Sequence, residues 1–128
     1  MSTSAPSPSA TSLLAWLPVV LYVALIFGLS SQPRLQPVLH FRNGDKVMHL
    51  LEYAGLGLLT ARAFRRTAAR GDHGRAALAT LSFGILVAVC DEVLQSFVPG
   101  RDATAFDVVA DIIGLSFAML LYLGLARD

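Results

Sequence analysis

The sequence contains very little cysteine, and its single residue, Cys90, lies inside a hydrophobic run. One cysteine cannot form an internal disulfide, so the fold is not a disulfide framework, and the redox state of the compartment is not indicated. We expect Cys90 to be a small buried apolar residue. The net charge is only +1, and the arginines fall in connecting segments instead of on one soluble face, which argues against nucleic-acid binding.

Charged residues are also scarce, at 15% of the 128 residues, whereas 55% are hydrophobic and the mean hydropathy is +0.61. An ordinary soluble domain is less apolar than this. Apolar helices of about 20 residues are long enough to cross a hydrocarbon core of about 30 Å, and the chain has room for four of them. The composition therefore predicts an all-α bundle of four transmembrane helices with short loops, placed in the plasma membrane.

Segments rich in Pro, Gly and Ser separate the predicted helices. Residues 1–11 contain Ser, Pro and Ala without periodicity, which predicts a disordered N-terminal tail. That tail has no Lys or Arg, and the apolar run after it is longer than a usual signal-peptide core, so we expect the run to be retained. Residues 12–128 are predicted to form a single transmembrane domain. Its helices are expected at about 13–30, 46–64, 76–98 and 105–125.

Lys and Arg are divided unevenly between the two ends of this predicted bundle. Six lie beside the tail, the second loop or the C-terminus, and four lie beside the first and third loops. Cytoplasmic segments of membrane proteins carry an excess of these residues. Both termini are therefore predicted to be cytoplasmic, and the first and third loops to face outward.

Polar residues recur at helical spacing at the outward end of three predicted helices. Asp45, His49 and Glu52 lie within about 60° of one another on the second helix, with Tyr53 beside them. The third helix ends, and the fourth begins, with the remaining polar residues: Asp91, Glu92, Gln95, Asp107 and Asp111. An unpaired charge near the centre of a membrane helix costs about 2.5–3.5 kcal/mol, so such residues need partners or a function. The three stripes lie at one depth and predict a single polar pocket.

Small residues repeat every four positions on the third and fourth helices. Those residues are Thr80, Gly84 and Ala88, followed by Ala110, Gly114 and Ala118. This pattern favours close contact between helix backbones in a membrane. It also permits a homodimer.

The spaced polar motifs resemble the signature of the VanZ-like membrane proteins, a family named for a teicoplanin-resistance protein. The resemblance covers about residues 30–118. It rests on Asp45-Lys46, His49, Glu52-Tyr53, Leu56-Gly57, Asp91-Glu92-x-x-Gln95-x-Phe97-x-Pro99-Gly100-Arg101, Asp107 and Gly114. Asp111 departs from the family, which often has Asn there. The resemblance implies about four transmembrane helices and a link to the cell envelope or glycopeptide resistance, with no defined reaction.

The leading hypothesis is a VanZ-like protein that binds a membrane lipid, a peptidoglycan precursor or a lipophilic glycopeptide in an outward-facing acidic pocket. The predicted ligand-binding residues are Asp45, Lys46, Tyr53, Gln95, Arg101, Asp107 and Asp111. At the pocket mouth, Arg101 and Lys46 would either hold an anionic group of the ligand or neutralise the acids.

Two further hypotheses come from other classes of protein. One is an intramembrane acid/base enzyme acting on a lipid-linked headgroup, with Asp91, Glu92 and His49 as the catalytic residues. The other is a structural or accessory subunit in which these residues only hold helices together. Imidazole and carboxylates also suit Zn or Mn, but no compact pair of histidines supports such a site, so neither a metal nor another cofactor is predicted.

Overall fold

The computed structural model describes residues 7–33 and 41–126 of the chain. These residues form four helices and no strand: α1 (Pro8–Ser30), α2 (Gly44–Arg66), α3 (His73–Ser96) and α4 (Ala105–Leu125). The predicted all-α four-helix bundle is confirmed. Three helices, α1, α3 and α4, are long and apolar enough to cross a membrane. At 23 residues α2 is equally long, but it carries the polar stripe and several arginines and does not share their composition.

The first helix begins earlier than the sequence predicted, at Pro8 instead of about residue 13. The Ser7 side chain accepts a hydrogen bond from the Ala10 backbone N–H at 3.3 Å, and proline suits the first helical position because its ring fixes φ. The prediction of a disordered tail is therefore wrong for residues 7–11. Residues 1–6 of that predicted tail lie outside the described part of the chain.

Capping residues explain where α3 and α4 begin. Asp72 accepts a hydrogen bond from the Arg75 backbone N–H at 2.9 Å, so α3 begins three residues before the predicted position 76. In α4, Thr104 and Asp107 form a capping box, and the helix begins at the predicted residue. Between these helices, Gly100 turns the chain with φ 81°, a left-handed conformation that favours glycine.

The central helix of the bundle is α2, which packs against each of the other three and most extensively against α4. It runs parallel to α4, because Lys46 pairs with Asp107 near the start of both helices while Gly57 meets Leu115 further along. Two glycines let these backbones touch. A methyl group on Gly57 would collide with the Leu115 main chain, and one on Gly114 would collide with the Leu50 main chain.

Apolar side chains fill the bundle between the helices and also cover its outer surface. The inner cluster consists of buried residues from all four helices: Ile26, Tyr53, Leu56, Val87, Ala88 and Leu115. Large aliphatic and aromatic side chains are exposed on the outside, among them Leu14 and Leu21 on α1 and Ile113 and Phe117 on α4. Such a surface is suited to lipid, where it costs nothing to leave apolar atoms exposed. This is the structure of a membrane protein.

Cys90 lies on that outer surface, so the prediction that it is buried is wrong. Its neighbours Val87, Ala88 and Asp91 occupy the inner face of α3 and are buried. At 100° per residue, position 90 is turned outward together with Leu86, Val89 and Val93, all of which are exposed. An apolar run alone does not show which of its sides faces the bundle.

The glycine contact between α2 and α4 makes a prediction about stability. We expect Gly114→Ala to lower the free energy of unfolding by about 1–3 kcal/mol, because the added methyl group overpacks against a backbone that cannot rotate away. Gly124→Ala is the control: it lies on the same helix with open space around it, and alanine there is neutral or stabilising by about 1 kcal/mol. Thermal and denaturant unfolding in detergent measure both. Equal stability of the two variants would contradict the close approach.

Candidate functional site

One end of the bundle gathers most of its acidic side chains. At this end α1 and α3 finish while α2 and α4 begin. We call the group the polar cluster, and its members are Asp45, Lys46, His49, Glu52, Tyr53, Asp91, Glu92, Gln95, Arg101, Asp107 and Asp111. Every site residue predicted from the sequence lies at this end. The sequence prediction that three polar stripes meet at one level therefore agrees with the contacts described next.

Three ion pairs join α2 to α4, and the longest of them lies between His49 Nε2 and Asp107 Oδ1 at 3.9 Å. Lys46 Nζ lies 2.6 Å from Asp107 Oδ1, and His49 Nδ1 lies 2.9 Å from Asp111 Oδ1. Both aspartates are fully buried, at 1% and 0% exposure. Asp107 Oδ2 also accepts hydrogen bonds from the Thr104 backbone N–H at 3.2 Å and from its hydroxyl at 3.1 Å. A single carboxylate therefore fixes the start of α4 and attaches it to α2.

A second network joins α2 to α3 and α1. The Tyr53 hydroxyl donates to Asp91 Oδ2 at 3.3 Å, and the Gln95 amide donates to the same oxygen at 3.4 Å. The Gln95 amide also donates to Ser30 Oγ at 3.2 Å. All four side chains are buried. Ser30 was not among the predicted site residues, although the Ser-Ser-Gln-Pro segment that closes α1 was the available signal.

Arg101 binds the main chain of α1. Its Nη2 donates at 3.1 Å to the Leu29 carbonyl oxygen, which also accepts from the Gln32 backbone N–H at 3.2 Å, so the arginine adds a second hydrogen bond at the end of α1. Among the described residues Arg101 forms no ion pair with an acid of the cluster, so both roles, holding an anionic group of a ligand and neutralising the acids, stay predictions.

Glu52 is a member of the cluster that the sequence analysis did not select as a site residue. It lies between Asp45 and Tyr53 on the polar stripe of α2, and it interacts electrostatically with Asp91, His49 and Asp111. Its position on that stripe was the signal that pointed to it.

Asp45 was predicted as a ligand-binding residue but lies at the rim of the cluster. Its side chain is 53% exposed, and its described ion pair is with the adjacent Lys46.

Several buried carboxyl oxygens accept no hydrogen bond from any residue that the structure describes. They are Asp91 Oδ1, both oxygens of Glu92, and Asp111 Oδ2. Ser30 lies beside the Asp91 carboxylate, but Oδ1 still receives no hydrogen bond. The Thr104 N–H lies near Glu92 and donates to Asp107 instead. Leaving such groups unpaired costs about 1–3 kcal/mol each, and more when they are charged.

Acidic groups also outnumber basic groups in the cluster. Six of the nine acidic residues of the chain belong to the cluster, whose basic members are Lys46, His49 and Arg101. Even with the histidine protonated, three carboxyl groups have no counter-charge from within the cluster. Within the described residues, no set of three or more His, Cys, Asp or Glu side chains has the geometry of a metal site. The arrangement is rich in unpaired acceptors, while Arg101 Nε is a buried donor of the cluster that also has no hydrogen-bond partner among the described residues.

Residues 7–127 match the VanZ/LLP1 family. The chain belongs to this family. The match extends the resemblance noted in the sequence, which covered about residues 30–118, to nearly the whole VanZ/LLP1 chain. No curated protein and no solved structure matches it. Apart from Asp111, the polar cluster of this VanZ/LLP1 protein is built from the motif residues that carried the resemblance.

The Lys46–Asp107 pair generates a second prediction. Breaking a buried ion pair from one side costs about 3–5 kcal/mol, and because the Lys46 side chain is 27% exposed we expect Lys46→Met to cost less, about 1–3 kcal/mol. Adding Asp107→Asn should restore stability, because the uncharged amide still caps α4. Asp45→Asn removes the exposed partner of the same lysine and should cost about 0–1 kcal/mol. Unfolding in detergent measures all three, and equal losses from Lys46→Met and Asp45→Asn would refute the buried pair.

Proposed function

We propose that this VanZ/LLP1 protein binds the positively charged amino group of a membrane amphiphile in its polar cluster. One observation carries the proposal: four buried carboxyl oxygens, on Asp91, Glu92 and Asp111, lack a hydrogen-bond donor among the described residues. An ammonium group supplies up to three N–H donors and the missing positive charge together. Charge-assisted hydrogen bonds of this kind are among the strongest that proteins form.

We infer an amphiphilic ligand from the position of the cluster within an apolar bundle. The outer surface of the surrounding helices is apolar, so a ligand reaching the cluster along the bundle has its hydrophobic part in lipid and its headgroup among the acids. Three classes of molecule combine an apolar part with amino groups: an aminophospholipid, a lipid-linked peptidoglycan precursor and a lipophilic glycopeptide such as teicoplanin. A role in the cell envelope or in teicoplanin resistance follows if the ligand is the second or the third.

A second candidate function uses the same residues for acid/base chemistry on a lipid-linked headgroup. Glu92 is favoured as the reacting group, because both of its oxygens lack hydrogen bonds and it interacts electrostatically with His49. A carboxylate and an imidazole in one site can exchange the roles of proton donor and acceptor. This function requires turnover in addition to binding.

Binding can be tested with variants that remove charge and keep shape. We expect Asp91→Asn and Glu92→Gln to weaken binding of teicoplanin or of phosphatidylethanolamine about ten-fold or more, measured with purified protein in phosphatidylcholine nanodiscs. The same ligands with N-acetylated amines should bind the unmodified protein equally weakly. Asp72→Asn, at the opposite end of the bundle, is the matched control.

The outcomes of this experiment separate the hypotheses. Unchanged affinity in both variants, when they insert at normal abundance, would contradict the binding site. Binding retained with lipid turnover lost would favour the enzyme, and failure to insert would favour a purely structural cluster. Teicoplanin susceptibility of cells expressing each variant then shows whether the bound ligand is the glycopeptide.

We also propose that the polar cluster faces outward across the plasma membrane and that both termini are cytoplasmic. The arginines around the second loop support this orientation by the charge bias of cytoplasmic segments. Ala103 lies in the short connection between α3 and α4, beside the cluster. In a Cys90→Ala background, Ala103→Cys should react with an impermeant thiol reagent in intact cells, whereas Ala68→Cys in the arginine segment should react only after lysis. The reverse pattern would overturn the orientation.

A further inference from the structure

A second site is indicated at the other end of the bundle, where α2 and α4 leave an open groove of about 480 Å³. Its volume lies within the range of about 300–1,000 Å³ that small-ligand sites occupy. Its walls are almost entirely apolar, and they are formed by Ala54, Gly55, Leu58, Ala118, Leu121, Tyr122, Leu125 and Ala126. No residue of the polar cluster lines it.

A positively charged residue, Arg62, follows the groove residues on the same face of α2. Arg62 lies four residues after Leu58, one turn further along the same face of the helix. Because α2 and α4 are parallel and pair at an offset of about 62 residues, Arg62 lies at the level of the last groove residues, Leu125 and Ala126. Arg62 makes no hydrogen bond or ion pair with any residue in the described ranges.

We propose that this groove holds an acyl chain of an anionic phospholipid whose phosphate pairs with Arg62. The open side of the groove is flanked by exposed Leu58, Leu121 and Leu125, so it is in contact with the hydrocarbon of the bilayer. Arg62 stands where the headgroup of a lipid in that groove would lie. An apolar channel that ends in a guanidinium group matches both parts of the lipid.

Charge distinguishes this lipid from a second copy of the chain as the occupant. The segment from Arg62 to Arg75 contains five arginines and one acidic residue. In a symmetric dimer through the groove, these positive segments would be brought towards each other and would repel. An anionic headgroup is attracted to the same segment, by about 1 kcal/mol for each basic residue near the surface.

The lipid site is independent of the proposed amine site. It lies at the opposite end of the bundle, takes a ligand of opposite charge and uses no residue of the polar cluster. Loss of amine binding in Glu92→Gln would leave it unaffected. Conversely, loss of the anionic lipid would leave amine binding intact.

Lipid retention can be measured by native mass spectrometry of the full chain from nanodiscs of equal parts phosphatidylglycerol and phosphatidylcholine. We expect the unmodified protein to retain one phosphatidylglycerol in preference to phosphatidylcholine. Arg62→Gln should reduce that preference about five-fold, the factor that corresponds to one arginine–headgroup interaction. Ala118→Trp should prevent retention of the lipid by filling the groove.

Two controls make the experiment decisive. Arg70→Gln removes a basic residue of the same segment that does not lie on the groove, and Leu120→Trp adds an indole to an exposed position of α4 outside it. Both should keep the phosphatidylglycerol.

Equal effects of Arg62→Gln and Arg70→Gln would show that the lipid is attracted by the basic segment in general and not by a defined site, which would overturn the proposal. A dimer that Ala118→Trp dissociates, with no retained lipid, would overturn it in favour of a second copy. Arg62→Gln keeps the test valid if Ala118→Trp fails to fold.

Discussion

The contact between the backbones of α2 and α4 is the constraint on which the other features of this bundle depend. In lipid the hydrophobic effect does not drive helices together, so close packing and interhelical hydrogen bonds must hold them. Gly57 and Gly114 let the two helices approach until main chain meets main chain. At that separation the short side chains of Asp107 and Asp111 reach Lys46 and His49. Larger residues at either glycine would move these partners apart.

This contact also explains how a helix as polar as α2 is accommodated. The apolar helices α1, α3 and α4 all pack against it, so its acidic stripe faces protein and not hydrocarbon. Each neighbour supplies a polar partner or acceptor to the network: Ser30 comes from α1, Asp91 and Gln95 from α3, and Asp111 from α4. The polar residues thus specify which helix lies where, while the small residues set how close it comes. Both kinds of signal are needed, because apolar surfaces alone do not discriminate among neighbours in lipid.

Much of this architecture could be predicted from the sequence, since hydrophobic length and helical periodicity are local properties. The start of α4 and the meeting of the polar stripes were predicted correctly, because Thr104 caps locally and residues such as His49 and Asp111 share a depth. The start of α1 was not, because a Ser-Pro pair reads equally as tail or as cap until the helix exists. Cys90 was misplaced because its exposure depends on which side of α3 its neighbours bury. The Arg101 bond to Leu29 involves a carbonyl, which carries no sequence signal.

The unpaired carboxyl oxygens cost free energy that the rest of the bundle must offset. In Asp91 and in Asp111, one carboxyl oxygen contacts a side chain of α2, and the other has no hydrogen-bond donor among the described residues. Only the first oxygen of each pair helps to hold the helices together. A cluster selected only to join helices would gain stability by replacing Glu92, which forms no hydrogen bond in the described chain, with an apolar residue of similar volume. Residues that stabilise a fold poorly and still occupy its most protected positions are characteristic of functional sites in membranes. The geometry thus divides single side chains: one oxygen of Asp91 and of Asp111 joins helices, and the other accepts no hydrogen bond from the described residues, which is why the proposed ligand is placed there.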